Sequence, residues 1–118
     1  MLQSQDICQE NYERFVQRVK RSGEVWGLQS AKGWAHCPSN DHEGRDVLLF
    51  WSDQAYAARH AKEEWSAYAP AGIPLDAFRA RWLPGMHKDR VLVGPNWDAH
   101  LCGLEVDPLE VAQNLADT

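Results

Sequence analysis

Val47-Leu48-Leu49-Phe50-Trp51 is an unbroken apolar run of strand length, and Ser52-Asp53 follows it at once. A strand with no polar interruption is at home buried on both faces, so structure must cover it above and below. Ser52 can cap a helix by accepting from first-turn N–H groups, Asp53 adds negative charge where the helix dipole favours it, and Ala55 to Glu64 is rich in helix formers. The junction predicts a central strand that turns directly into a helix.

The remaining elements arrange themselves around that strand. Ser4 to Ser22 predicts a helix, because Cys8, Tyr12, Phe15 and Val19 recur at steps of four, three and four and Gly23 stops it. Glu24 to Gln29 and Gly33 to Cys37 predict a hairpin with its turn at Ser30 to Gly33, followed by a polar loop from Pro38 to Asp46. Trp65 to Ile73 predicts a short edge strand, where proline is tolerated. Leu75 to Leu83 predicts a helix that Pro84-Gly85 ends. Val91 to Val93 predicts a buried strand broken at Gly94-Pro95, with Leu101 to Val106 as its neighbour. Pro108 opens a last helix with Leu109, Ala112 and Leu115 on one side. The expectation is one α+β (α/β-like) domain over residues 1–118, with about four helices around a mixed sheet of five or six strands.

Charge is distributed unevenly. All twelve Lys and Arg lie in residues 1–90 with twelve of the seventeen Asp and Glu, so the net charge of -5 falls wholly on the last 28 residues, as Asp98, Glu105, Asp107, Glu110 and Asp117. Net acidity argues against broad nucleic-acid affinity, which rests on phosphate contacts. No apolar run approaches the roughly 18 residues that read as a membrane span, and the N-terminus is polar, so a cytoplasmic address is expected. The three cysteines, Cys8, Cys37 and Cys102, form no CxxC pair. Free thiols are expected, not a disulfide framework or a zinc ribbon.

Few residues group in ways that suggest chemistry. His36-Cys37 with Asp41-His42-Glu43 is the densest reactive cluster, yet its spacing matches no recognised site, Cys37 and His42 alone make half a zinc shell, and a polar surface loop is the simpler reading. His60, His87 and His100 stand alone in their segments. Arg14, Arg18 and Arg21 form a basic stripe on the first helix that reads most simply as a solvated face. There is no GxGxxG, no GxxxxGK[ST] and no GxSxG. Trp26, Trp51 and Trp82 fall in core patterns. Trp97, in a turn at the start of the acidic region, could be either core or a partly exposed anchor.

Trp26, Phe50-Trp51-Ser52, Trp82-Leu83-Pro84-Gly85, Asp89, Val91-Leu92-Val93-Gly94, Asn96-Trp97 and Val106-Asp107-Pro108 together resemble the bacterial domain-of-unknown-function family 2750. The resemblance covers nearly the whole chain and is most specific from Trp82 to Trp97. It departs at the charge-rich loop from His36 to Asp46. It implies no activity, cofactor or catalytic residue.

Two kinds of function stay open. The first is a protein-binding module, concretely an immunity (antitoxin-like) protein that neutralises a basic toxin domain such as a nuclease. Trp97, Asp98, Glu105, Asp107 and Glu110 would form its contact surface, and it would need no metal, cofactor, nucleic acid or membrane. The second is an enzyme or small-ligand-binding domain, with an enzyme site near Asp89, Asn96 and the His36 to His42 loop, which would require a cleft joining them.

Overall fold

The computed structural model describes residues 2–116. Helix α1 (Leu2–Ser22) buries Tyr12, Phe15 and Val19 on the predicted face. It ends where Gly23, at φ +77°, donates its N–H to the Val19 carbonyl at 2.8 Å, the left-handed exit that glycine adopts without steric cost.

The hairpin forms as β1 (Glu24–Ser30) and β2 (Gly33–Trp34), paired antiparallel. The chain then crosses to a second layer. Ala35 donates to Leu28 of β1 and accepts from Leu49, and beyond it β3 (His36–Pro38) pairs with β4 (Asp46–Phe50). The outer partner of β1 is β5 (Ala69–Pro74), the predicted proline-bearing edge strand, and the outer partner of β4 is β6 (Leu92–Pro95), which runs parallel to it. The strands therefore make two three-stranded sheets, β2-β1-β5 and β3-β4-β6, not one sheet of five or six. Besides Ala35, a β-bridge links them: Trp26 and Trp51 exchange backbone hydrogen bonds at 2.8 and 2.7 Å. Of the predicted strand from Leu101 to Val106, only Val106 pairs, with Val93.

β4 lies between two partners and feeds both layers of core, as its apolar run requires. Phe50 packs with Phe15, Val19, Val25, Phe78 and Leu83 under the helices, while Val47, Leu49 and Trp51 pack on the other side with Leu28, Trp65 and Trp97. This is the period-two alternation of a strand buried on both faces. Each such large side chain contributes about 1.5–3 kcal/mol by leaving water.

Three helical expectations are corrected. Helix α2 (Gln54–Ala58) is shorter than predicted, and its cap is Asp53, whose carboxylate accepts from Ala55 N, because Ser52 is engaged elsewhere. Pro84-Gly85 does not stop a helix. The short α3 (Leu75–Ala77) runs through a π turn (Phe78–Trp82) into α4 (Leu83–Lys88), with Pro84 in its first turn. The Leu83 N–H reaches back to the Phe78 carbonyl, so the helix widens just where a proline ring would collide with an α-helical backbone. The actual stop is Arg90, at φ +62°, with Val91 donating to Met86.

The last helix, α5 (Pro108–Leu115), starts as predicted, but its buried face is Pro108, Val111 and Leu115. Leu109 lies about 100° round the helix from Pro108 and is 48% exposed.

Candidate functional site

β4 and β6 run in the same direction and end side by side, and the residues just beyond each end are tied together. Asn96, held at φ +49°, accepts the Ser52 N–H on Oδ1 at 2.9 Å and donates from Nδ2 to Ser52 Oγ at 3.1 Å and to the Asn11 carbonyl of α1 at 3.4 Å. The Trp51 indole N–H donates to the Trp97 carbonyl at 3.1 Å. Asn is among the few residues that enter the left-handed region readily, and here its side chain supplies three of the bonds that join β4, β6 and α1. Trp51, Ser52, Asn96 and Trp97, which carry much of the family resemblance, thus meet in one place.

His60 closes the arrangement. It is buried against the Trp51 ring with centroids 4.6 Å apart, its Nδ1 lies 2.9 Å from the Tyr56 carbonyl oxygen and its Nε2 lies 2.9 Å from the Asp98 carbonyl oxygen. It pins the loop after β6 to the end of α2. Both partners are acceptors, so a ring with a single N–H satisfies one of them at a time.

Above this floor is an open cleft of about 260 Å³, walled by Arg14 of α1, by Tyr56 and Arg59, and by Asp98 and Ala99. Arg18 donates to the Tyr56 hydroxyl at 2.9 Å, and the guanidinium carbons of Arg18 and Arg59 lie 5.6 and 5.5 Å from the Tyr56 ring centroid, within cation–π range. Arg14 donates to Asn11 Oδ1 at 3.0 Å. The basic stripe on α1 therefore continues across the cleft through Arg59, a residue that has no motif around it in the sequence.

The five residues expected to meet a partner take different places. Trp97 is 3% exposed, seated on Gly94 and Gly103 with its indole N–H donating to the Leu104 carbonyl at 2.8 Å, so it packs and does not project. Asp98 turns its Oδ1 to the His100 and Cys102 N–H groups at 2.9 and 3.1 Å, shaping its own loop. Glu105 accepts from Ser39 Oγ and from Asn40 N at 2.8 Å, which holds the charge-rich loop after β3 against the C-terminal segment. Asp107 caps α5 by accepting from Leu109 N at 2.8 Å, and Glu110 is exposed on the first turn. Asp117 lies outside the described residues.

Three of these carboxylates, Glu105, Asp98 and Glu110, act on titratable neighbours. The Cys37 thiol is pushed above its ordinary value of 9.0 by burial first and then by Glu105, Glu64 and Asp46, so residues distant in sequence add to the negative field there. Cys8 is raised by burial, by Asp98 and by Cys102. Tyr12 is raised by burial and by Glu110, against the lowering effect of the Asn114 hydrogen bond.

The other groups do not assemble. His36, Asp41, His42 and Glu43 are exposed, and among the described residues no group of three or more His, Cys, Asp or Glu could hold a metal ion. Cys8, Cys37 and Cys102 are free thiols. Asp89 faces a separate cavity with Glu43, Arg45 and Arg90, and the cleft at Asn96 contains neither Asp89 nor the His36 to His42 loop. No helix among the described residues is long and apolar enough to cross a membrane.

The model of a protein family described as "Protein of unknown function (DUF2750)" matches residues 12–115. No curated protein and no solved structure matches the chain.

Proposed function

The chain belongs to the DUF2750 family, which has no assigned function, and from its own surface we propose that it is a protein-binding module that docks a basic partner on its acidic C-terminal face. The observation that carries this is Leu109. It is one of two large apolar side chains left exposed among the described residues, and it sits on α5 between Asp107 and Glu110. An exposed apolar side chain flanked along the chain by two carboxylates resembles the anchor of an interface whose rim selects a partner of opposite charge.

The charge around it supports the same reading. Residues 91–116 contain no Lys or Arg, and Glu64 and Asp46 join Glu105 around Cys37. Such a face suits the positive surface that a nuclease presents to phosphates, so the concrete form of the proposal is an immunity (antitoxin-like) protein of the cytoplasm that covers a toxin domain of that kind. Long-range attraction would speed the encounter. Leu109 takes the role of anchor that Trp97, being buried, does not fill.

The test is capture of partners by the wild-type chain and by the double variant L109E/E110K, both substitutions being on exposed positions. The expected result is a basic protein retained by the wild type and lost from the variant. Retention of the same proteins by both would count against the proposal.

A further inference from the structure

We propose that the cleft at the carboxyl ends of β4 and β6 is a binding site for a small organic anion, a carboxylate or phosphate carried on an apolar body, separate from the acidic face. Three observations converge on it. The first is position. In sheets with parallel strands, ligands settle in the crevice outside the carboxyl ends, where strand termini diverge and leave backbone and side chains facing a gap. β4 and β6 are the parallel pair of this fold, and the cleft opens directly beyond Trp51 and Asn96.

The second is what remains unspent. The floor has used its polar groups: the Trp51 indole N–H on Trp97, the Asn96 side chain on Ser52 and Asn11, and the His60 ring N–H on one of the two backbone carbonyls that face its nitrogens. It offers an incoming molecule chiefly apolar and aromatic surface. The wall is the opposite. Arg14 gives a hydrogen bond to an amide oxygen, and Arg59 lies over a tyrosine ring, a contact that spends no N–H. A guanidinium has five N–H donors in a planar fork suited to two oxygens of a carboxylate or phosphate. Donors above an apolar floor specify a ligand with an oxyanion at one end and a hydrophobic body at the other.

The third is organisation. Tyr56 gathers Arg18 and Arg59 around one ring, with the Arg18 bond to its hydroxyl at 2.9 Å, so part of the entropy of ordering these long side chains is already spent before a ligand arrives. Asp98, the carboxylate that lines the cleft, has its Oδ1 turned to the N–H groups of its own loop. A volume of about 260 Å³ lies just below the usual range of ligand pockets, which suits a single-ring metabolite and not a dinucleotide.

The experiment is a ¹H–¹⁵N NMR titration with benzoate, phenyl phosphate and inorganic phosphate, read at the Trp51 indole N–H in the cleft floor. Saturable movement of that signal is expected with benzoate, phenyl phosphate or both, and which of the two binds tighter tells carboxylate from phosphate. Inorganic phosphate, lacking the apolar body, is expected to bind about tenfold more weakly or worse. R14Q and R59Q, both at exposed positions, are each expected to weaken binding about tenfold while the thermal midpoint stays put, and R21Q, outside the cleft, to leave it unchanged. No saturable movement with either organic anion, or wild-type affinity in both R14Q and R59Q, would overturn the proposal.

Discussion

Asn96 Oδ1 accepts the Ser52 backbone N–H at 2.9 Å across two strand ends that are 44 residues apart in the chain. Both residues are buried, at 6% and 5% exposure, so neither group can turn to water if the other is removed. This one amide fixes the geometry of the cleft floor, because Asn96 also reaches α1 through Asn11.

Replacing Asn96 separates its two roles. N96G keeps the left-handed backbone and leaves the Ser52 N–H unpaired, which costs about 1–3 kcal/mol. N96A adds the strain of an alanine at positive φ, about another 1 kcal/mol. Urea unfolding should therefore rank wild type above N96G above N96A. Equal stability of all three would show that the link carries no load.

Trp97 depends on the absence of side chains around it. A Cβ on Gly94 would lie 2.6 Å from Leu49 Cδ2 and 2.9 Å from the Trp97 ring, and a Cβ on Gly103 would enter the same ring. G103A is expected to destabilise by about 1–3 kcal/mol through overpacking. Gly103 is not among the glycines with positive φ, so backbone strain does not confuse the result. A G103A protein as stable as the wild type would mean that the indole can move aside.

Much of this architecture is legible in the sequence, where the signal is local and periodic. The apolar run from Val47 to Trp51, the α1 face of Tyr12, Phe15 and Val19, and the helix start at Pro108 all follow from local pattern and first-turn chemistry. What is not legible depends on neighbours distant in the chain. Pro84-Gly85 reads as a stop because nothing in the residues announces the π turn that accommodates it. Trp97 reads as exposable because the pocket made by Gly94, Gly103 and Leu49 exists only after folding. Arg59 and Tyr56 carry no motif and gain meaning only when α1 and the loop after β6 close around them. Leu109 sits in a helix whose apolar residues outnumber its buried face.

Glu105 offers a test of how the charge-rich loop is held. Its carboxylate accepts from Ser39 Oγ and from the Asn40 N–H at 2.8 Å. A hydrogen bond to a charged group is worth about 1.5–3 kcal/mol, so E105A should speed amide exchange at Asn40 by about tenfold or more. Exchange at β6 should change far less. An unchanged rate at Asn40 would detach Glu105 from the loop.

Stability should fall at alkaline pH. Cys8, Cys37 and Tyr12 all hold their protons more tightly in the folded chain, whereas unfolded thiols titrate near 9.0 and an unfolded tyrosine near 10.0. Below pH 9 both states are protonated and this contribution is complete. Above it the unfolded chain binds fewer protons than the native one, so the free energy of unfolding decreases as pH rises. Denaturant midpoints between pH 7 and 10.5 should decline from about pH 9, and C8S/C37S should lose the earlier part of that decline. A midpoint that holds level or rises to pH 10 would contradict the environments assigned to these thiols.

The most direct measurement of the proposed binding function is the dissociation constant between this chain and a basic protein that it captures, taken for wild type and L109E/E110K at low and physiological salt. The prediction is an affinity that weakens with salt and drops about tenfold or more in the variant, because the apolar anchor is lost and a rim charge is reversed. An affinity that ignores both salt and the substitutions would place the binding surface elsewhere and contradict the role given to Leu109 and the acidic face.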